Sequence, residues 1–325
     1  MKRVLITGAT GFIGRACIDA LRQKDFEIHA ISSQPAPQST PKIAWYQVNL
    51  HDHLAVKELI ADVRAGSLLH LAWYVKHGAY WSSDENLRWV ASSLNLVEEF
   101  INNGGQRLVC AGTCAEYDWS ERFCRKSLSE KTALINPSTV YGASKAGLSM
   151  IINALSKVRG VNSAWARIFA PYGPYEPQEK LIPNTIVSLL QKKVAICNNP
   201  DLQRDFIFVD DIAEIMARLV DSQLVGPINI ASGQAVKLRQ VVGSIASLLG
   251  TENLVEYKAH SRNEAEPPLL VGDIIRLKDE LGYIGQTTLE EGLQKTIAWW
   301  KQNILNSVVH SFSHSSIHSP GADRA

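Results

Sequence analysis

The chain has 325 residues, enough for one large or two closely joined domains, and its 46% hydrophobic content is that of a globular protein with a sizeable core. A formal net charge of +1 gives no electrostatic reason to expect nucleic acid or an anionic membrane as partner, although a local basic site for one small anion is compatible with it. Five scattered cysteines without a CxxC pair argue against a disulfide framework or a zinc site, so we expect a cytoplasmic protein with no bound metal.

The first predicted element is a buried strand at Val4–Ile6. Together with Met1-Lys2-Arg3 it briefly imitates a signal peptide, but Thr7-Gly8 interrupts the apolar run at once. No apolar stretch approaches the ~20 residues of a membrane helix. Further β-rich runs at Glu27–Ile31, Leu68–Leu71, Leu108–Ala111 and Val161–Phe169 alternate with helix-period segments at Ile13–Lys24, His53–Val63, Asp84–Asn102 and Ser138–Val158. Such alternation predicts βαβ units and a parallel sheet, an α/β fold. After Phe169 the proline-rich stretch Ala170–Pro177 leaves the sheet, and a smaller mixed region follows, closing with a helix near Leu289–Gln302. From Ser307 the chain is rich in Ser and His. His310, His314 and His318 would align on a helix as metal ligands, but the surrounding Ser, Gly and Pro predict disorder instead.

The most informative segment is Val4-Leu5-Ile6-Thr7-Gly8-Ala9-Thr10-Gly11-Phe12-Ile13-Gly14: a strand, a glycine-rich turn and a helix start. Gly8 permits the tight turn, Gly11 lets the backbone approach a pyrophosphate, and Gly14 lets helix and strand pack closely. The helix N–H groups and dipole then face the anion. Phe12, Ile13 and Arg15 flank these glycines as further candidate contacts. The GxxGxxG spacing resembles the short-chain dehydrogenase/reductase superfamily, in particular its extended branch of sugar-nucleotide epimerases, dehydratases and reductases.

Tyr141 and Lys145 lie four apart, on one helix face. A phenol of pKa ~10 is a poor acid–base catalyst at neutral pH, whereas a neighbouring ammonium and a nicotinium ring both favour its phenolate. Thr113 follows the Leu108–Ala111 strand by two residues, at the carboxyl end of the strand, where ligands bind in a doubly wound sheet. The three resemble the family's Ser/Thr–Tyr–Lys triad. The resemblance implies that Thr113 orients the substrate oxygen, Tyr141 exchanges the proton, and Lys145 binds ribose and tunes Tyr141. Two decoys lie nearby. Gly142-Ala-Ser144-Lys-Ala146 lacks the final glycine and preceding strand of a hydrolase elbow, and Cys114 is better read as a small packing residue than as a nucleophile.

The resemblance extends to about residue 302. His70-Leu71-Ala72 matches the strand end bordering the cofactor, with Leu71 and Ala72 as contacts. Tyr172-Gly173-Pro174 matches a YGP turn, Arg204-Asp205-Phe206-Ile207-Phe208-Val209-Asp210-Asp211 an RDFxxVxD segment, and Leu289-Glu290-Glu291-Gly292-Leu293 the closing helix. It implies a Rossmann-type, doubly wound parallel sheet with a smaller mixed α/β substrate domain. The dinucleotide-binding domain would be residues 1–170 with 204–231 returning to it, the substrate domain 171–203 and 232–306, and the tail 307–325. By the same resemblance Arg204 and Arg262 would grip the diphosphate of a nucleoside-diphosphate sugar, as guanidinium chemistry allows, and helices Asp84–Asn102 and Ser138–Val158 would form a homodimer contact.

Two departures narrow the reaction. Where the family's dehydratases carry an Asp-Glu pair after the triad Thr, this chain has Cys114 and Ala115, which removes the acid and base for water elimination. Where NAD-binding Rossmann proteins place an acid to hold the ribose 2′-hydroxyl, it has Ser32 and Ser33, and Arg15 is available to a 2′-phosphate. NADP is therefore preferred over NAD. Asn49 and the adjacent Leu50, after a third strand, are candidates for contacting adenine. The expected function is C4 reduction of a nucleotide-activated 4-keto-6-deoxyhexose. A 4-epimerase with tightly held NAD is the alternative enzyme, and a non-catalytic dinucleotide sensor the alternative of another class. The aromatic set Trp73, Tyr74, Tyr80 and Trp81 either lines the pocket or packs in the core.

Overall fold

The structure is a computed structural model and describes residues 2–35, 37–120, 124–259 and 266–314, with side chains to Leu305. Its centre is a parallel sheet. In chain order the strands are β1 (Arg3–Thr7), β2 (Glu27–Ser32), β3 (Ile43–Gln47), β4 (Ser67–His70), β5 (Arg107–Thr113) and β6 (Asn162–Ile168), with a last strand at Gly226–Ile230. In space they run Gly226–Ile230, β6, β5, β4, β1, β2, β3. The order reverses between β1 and β4, and at such a switch point the carboxyl ends of the strands leave a crevice for a ligand. Strand β3 was inferred without bounds from the sequence. It is an edge strand whose residues are half-buried, so its apolar signal is diluted.

Helices α1 (Phe12–Gln23), α2 (His53–Val63), α3 (Glu85–Asn102) and α4 (Val140–Arg159) follow β1, β3, β4 and β5. Successive strand residues point to opposite faces, so β1 feeds two cores at once. Val4 and Ile6 join Cys17 and Leu21 of α1, whereas Leu5 joins Leu59 and Ile60 of α2, Leu96 of α3 and Leu148 of α4. Burial on both faces is why these strands read as continuous apolar runs. Helix ends obey local chemistry. Asp52 caps α2 by accepting from Leu54 and Ala55 N–H, both at 3.1 Å. Thr139 caps α4 through Gly142 N–H at 3.0 Å, which starts the helix at Val140, two residues later than the sequence indicated.

Beyond β6 the chain builds a second lobe. Helix α5 (Leu181–Leu190) packs with helices Leu238–Leu249 and Leu289–His314 through Ile182, Ile186, Val241, Ile245, Leu293 and Ile297. Between them, α6 (Val209–Val220) returns to the main sheet, its Ile212 and Met216 in the same core as Val4 and Ile6. Two aspartates of the RDFxxVxD segment pin this return. Buried Asp205 accepts from the N–H groups of Ser232, Gly233 and Gly272, and Asp211 from the Tyr283 hydroxyl and the Gln286 and Thr287 N–H groups.

The closing helix does not stop near Gln302. It runs to His314, past Ser307 where irregular chain was expected, because extending a formed helix adds one hydrogen bond per residue without a new nucleus. Residues 315–325, including His318, lie outside the described residues. Among the described residues no helix is long and apolar enough to cross a membrane, and no group of His, Cys, Asp and Glu could hold a metal ion.

Candidate active site

The glycine loop lies at the carboxyl edge of β1. Gly8 has φ +69°, a conformation that disfavours any side chain, and a Cβ there would also come within 2.8 Å of Ala72 N. A Cβ on Gly14 would lie 2.9 Å from Ala9 Cα and overlap the Gly8 carbonyl. Helix α1 opens at Gly11 with no side-chain cap, so its first turn presents N–H groups without a side chain over them. A cradle kept open by missing Cβ atoms, beneath an uncapped helix start, fits a dinucleotide pyrophosphate.

Next to it, buried Thr7 and His70 tie β1 to β4. The Thr7 hydroxyl accepts from Leu71 and Ala72 N–H, each at 3.2 Å, and lies 2.7 Å from His70 Nδ1. With both lone pairs used, the hydroxyl proton goes to His70 Nδ1, and His70 Nε2–H donates to Ser93 Oγ at 2.8 Å. Burial pushes the His70 imidazolium down to about 3, with the Lys145 charge acting in the same direction. The ring is neutral, and it orients the Thr7 hydroxyl that holds the Leu71–Ala72 backbone beside Gly8.

The structure brings Thr113, Tyr141 and Lys145 together. Thr113 ends β5, and its side chain lies close enough to the Tyr141 phenol to favour the ionised form. Helix α4 approaches closely because Gly142 has no side chain: a Cβ would overlap the Ala115 carbonyl and lie 2.9 Å from Pro137 Cβ. Lys145, one turn on, donates to Ala111 O at 2.8 Å and lies 3.8 Å from the centre of the Trp73 ring. Burial lowers its pKa to about 8, opposed by Cys110 and Glu116. For Tyr141 burial dominates and raises the pKa above the ordinary phenol value, against the lowering effect of the Thr113 side chain. In the protein alone the phenol is therefore held protonated.

The aromatic set divides. Tyr80 and Trp81 stand edge-on to Tyr141, with ring centres 5.0 and 5.7 Å away, and Trp119 packs on Trp81 at 5.8 Å. Trp73 lies against Lys145, and Tyr74 packs on the core beneath α3. From the second lobe Lys180 reaches this cluster, 5.5 Å from the Tyr80 ring centre. The sequence reading did not single out Lys180.

Cys114 and Ala115, at the positions of the dehydratase acid and base, supply no ionised group. Burial raises the Cys114 thiol to about 12, and Ala115 is buried. The nearby carboxylate, Glu116, is fully buried and turned away. It accepts from Thr113 N–H, Trp165 Nε1 and Arg167 Nε, each at 2.8 Å. That ion pair escaped the sequence reading because its partners lie about fifty residues apart, on an adjacent strand.

The remaining candidates are dispersed. Ser32 is buried and accepts from Gln34 N–H at 3.1 Å, and Ser33 is exposed. Arg15 is exposed, donates to Thr10 O at 2.8 Å and stacks 4.9 Å from the Tyr175 ring. With Tyr175, Trp45 and Pro37 it lines a cavity of about 340 Å³ at the outer side of the glycine loop. Phe12 and Ile13 are half-buried and pack against the second lobe. Asn49 is exposed, with its side chain on His51 N–H, and Leu50 is buried in the core. Arg204 is engaged by Glu266 at 3.0 Å and by the carbonyls of Gln203 and Pro267. Arg262 lies outside the described residues.

Comparison with known proteins agrees with this geometry. Residues 4–231 match the NAD dependent epimerase/dehydratase family. The dTDP-glucose 4,6-dehydratase of Neisseria meningitidis is 26% identical, covering 94% of this chain and 97% of its own. The dTDP-4-dehydro-6-deoxyglucose reductase of Escherichia coli is 25% identical over 90% of this chain and 96% of its own. Among solved structures, the UDP-glucose 4-epimerase of Thermotoga maritima with UDP-glucose superposes with a TM-score of 0.82 at 18% identity, covering 93% of this chain and 99% of that one. With the family match spanning most of the chain and the fold agreeing, the protein belongs to the NAD dependent epimerase/dehydratase family, enzymes of the extended short-chain dehydrogenase/reductase type.

Proposed function

We propose that the protein reduces the C4 carbonyl of a nucleotide-activated 4-keto-6-deoxyhexose, using NADPH in preference to NADH. The observation that carries the reading is the Thr113–Tyr141–Lys145 cluster combined with Cys114 and Ala115 beside it: a proton donor for a carbonyl is present, and the pair needed to eliminate water is not. The similarity to a dTDP-4-dehydro-6-deoxyglucose reductase supports the same choice.

When bound, the reduced nicotinamide supplies the hydride. The chain's own residues do the rest. Gly8, Gly11 and Gly14 with the first turn of α1 hold the pyrophosphate, and Leu71 and Ala72 border it. Thr113 orients the substrate oxygen, and Tyr141, held protonated by burial, donates its proton to that oxygen as the carbonyl is reduced. Lys145 holds the ribose and balances the phenolate that remains. Lys180 and Arg204 serve the diphosphate, the latter by exchanging Glu266 for phosphate oxygens. The NADP preference rests on the absence of an acid at Ser32 and Ser33 and on Arg15. The exposed Leu87 of α3 and Met150, Ile151 and Val158 of α4 suit these helices to a homodimer contact.

The test is turnover with a panel of 4-keto nucleotide sugars together with the cofactor content of the protein as isolated. A reductase is isolated largely empty and consumes NADPH stoichiometrically with ketosugar. Tightly held NAD, with interconversion of two nucleotide hexoses and no net consumption, would overturn the reading in favour of a 4-epimerase.

A further inference from the structure

The segment joining β4 to α3 holds Lys145 in a way that the triad alone does not require. The Trp73 ring faces the ammonium with its centre 3.8 Å from Nζ. The plane of that ring is fixed in turn, because Trp73 Nε1–H donates to Asn86 Oδ1 at 2.9 Å. Both amide hydrogens of Asn86 are used as well, on the carbonyls of Tyr80 at 2.7 Å and Ser83 at 2.8 Å. Asn86 is fully buried in the first turn of α3, and Trp73 and Lys145 are buried with it. A buried amide with both N–H groups and its oxygen engaged has one orientation, since turning it over sets donors against donors and an acceptor against acceptors.

The same amide reaches the other half of the site. The Tyr80 and Ser83 carbonyls bracket Trp81, whose own carbonyl accepts the Tyr141 N–H at 3.1 Å, and the Tyr80 ring stands edge-on to Tyr141. One side chain thus locks the ring against Lys145 and the loop against Tyr141. We propose that Asn86 and Trp73 are positioning residues for the proton-transfer pair: Asn86 fixes the indole, and the indole face stabilises the ammonium form of Lys145. The proposal rests on the reading of Tyr141 and Lys145 as that pair.

A desolvated ammonium against an indole face is attracted by the negative face of the ring, and fixed geometry makes the attraction dependable. The other groups acting on Lys145 are the Ala111 carbonyl, which accepts from its ammonium at 2.8 Å, and the buried Glu116 carboxylate, both of which favour its charge, with the Cys110 thiol on β5 and neutral His70 on β4 nearby. Trp165 is farther, at 5.9 Å.

The test follows Lys145 itself, by NMR of protein labelled at lysine ¹³Cε, with its resonance identified through Lys145→Arg. Trp73→Leu keeps the site apolar and removes the ring, so the Lys145 titration should move about one pH unit lower. Trp73→Phe restores a ring face and should recover most of that shift, and Asn86→Leu should show an intermediate fall. If Trp73→Leu does not fold, native sequence grown with 5-fluoro- and 5,7-difluorotryptophan decides, since fluorine draws charge from the ring at nearly constant size and should lower the titration stepwise. A Lys145 titration unmoved by fluorination overturns the proposal. Full turnover by Tyr141→Phe would instead overturn the catalytic reading, leaving the Lys145 shifts as measured.

Discussion

Replacing Glu116 tests whether the floor of the site is held by one buried carboxylate. Glu116→Ala removes the partner of Arg167, and both side chains are almost wholly inaccessible to water. Leaving one member of a buried pair uncompensated costs about 3–5 kcal/mol. The change also strands the Thr113 N–H and the Trp165 indole N–H, at ~1–3 kcal/mol each. The sum, roughly 5–11 kcal/mol, is of the order of a whole domain's stability of about 5–15 kcal/mol. Urea unfolding followed by tryptophan fluorescence reads it. Should the alanine variant not fold, Glu116→Gln keeps an acceptor for Thr113 and Trp165 while removing the charge, and a loss of about 2–4 kcal/mol is expected. In a cycle with Arg167→Met the double variant should lie at least ~1 kcal/mol above the sum of the singles, because the two groups share one network. A loss below ~1 kcal/mol in Glu116→Ala, or strict additivity, would refute the argument.

The other predictions concern chemistry and pH. Tyr141→Phe should lower turnover at least ~10²-fold while cofactor titration stays near wild type, as for loss of a general acid; unimpaired turnover would exclude the role. Ser32→Asp should reverse the cofactor preference by setting a carboxylate against the 2′-phosphate, read by fluorescence titration with NADPH and NADH, and tighter NADH binding by the wild type would contradict the premise. His70 stays neutral when folded down to about pH 3 but takes a proton near 6.5 when unfolded. The unfolded state therefore binds the extra proton between these values, so the stability His70 contributes is complete above pH 6.5 and falls as pH drops toward 3. From pH 6.5 to 5 the wild type should lose about 2 kcal/mol more than His70→Gln, and equal losses in the two proteins would show that the imidazole is not held neutral.

Local rules made much of this protein legible in its sequence. The glycine loop, the apolar strand runs and the Tyr141–Lys145 spacing depend on turn geometry, on burial of both sheet faces and on helical periodicity, all of which act within a few residues. The sheet interior and the parallel class followed from them. What depends on distant partners was not legible. Glu116 is one acidic residue among many in sequence, and only the fold shows its carboxylate engaged by Arg167 and Trp165 of the neighbouring strand. Arg204 offers the same guanidinium in sequence whether it faces a phosphate or, as here, Glu266. Asn86 carried no signal at all, because an asparagine in a first helical turn is commonplace until Trp73 and two carbonyls close around it. The direction of the Tyr141 pKa also belonged to the tertiary structure. Spacing puts Lys145 one turn away, whereas only the tertiary fold sets the Tyr80 and Trp81 rings edge-on to the phenol, and burial is the largest effect on its pKa, raising it.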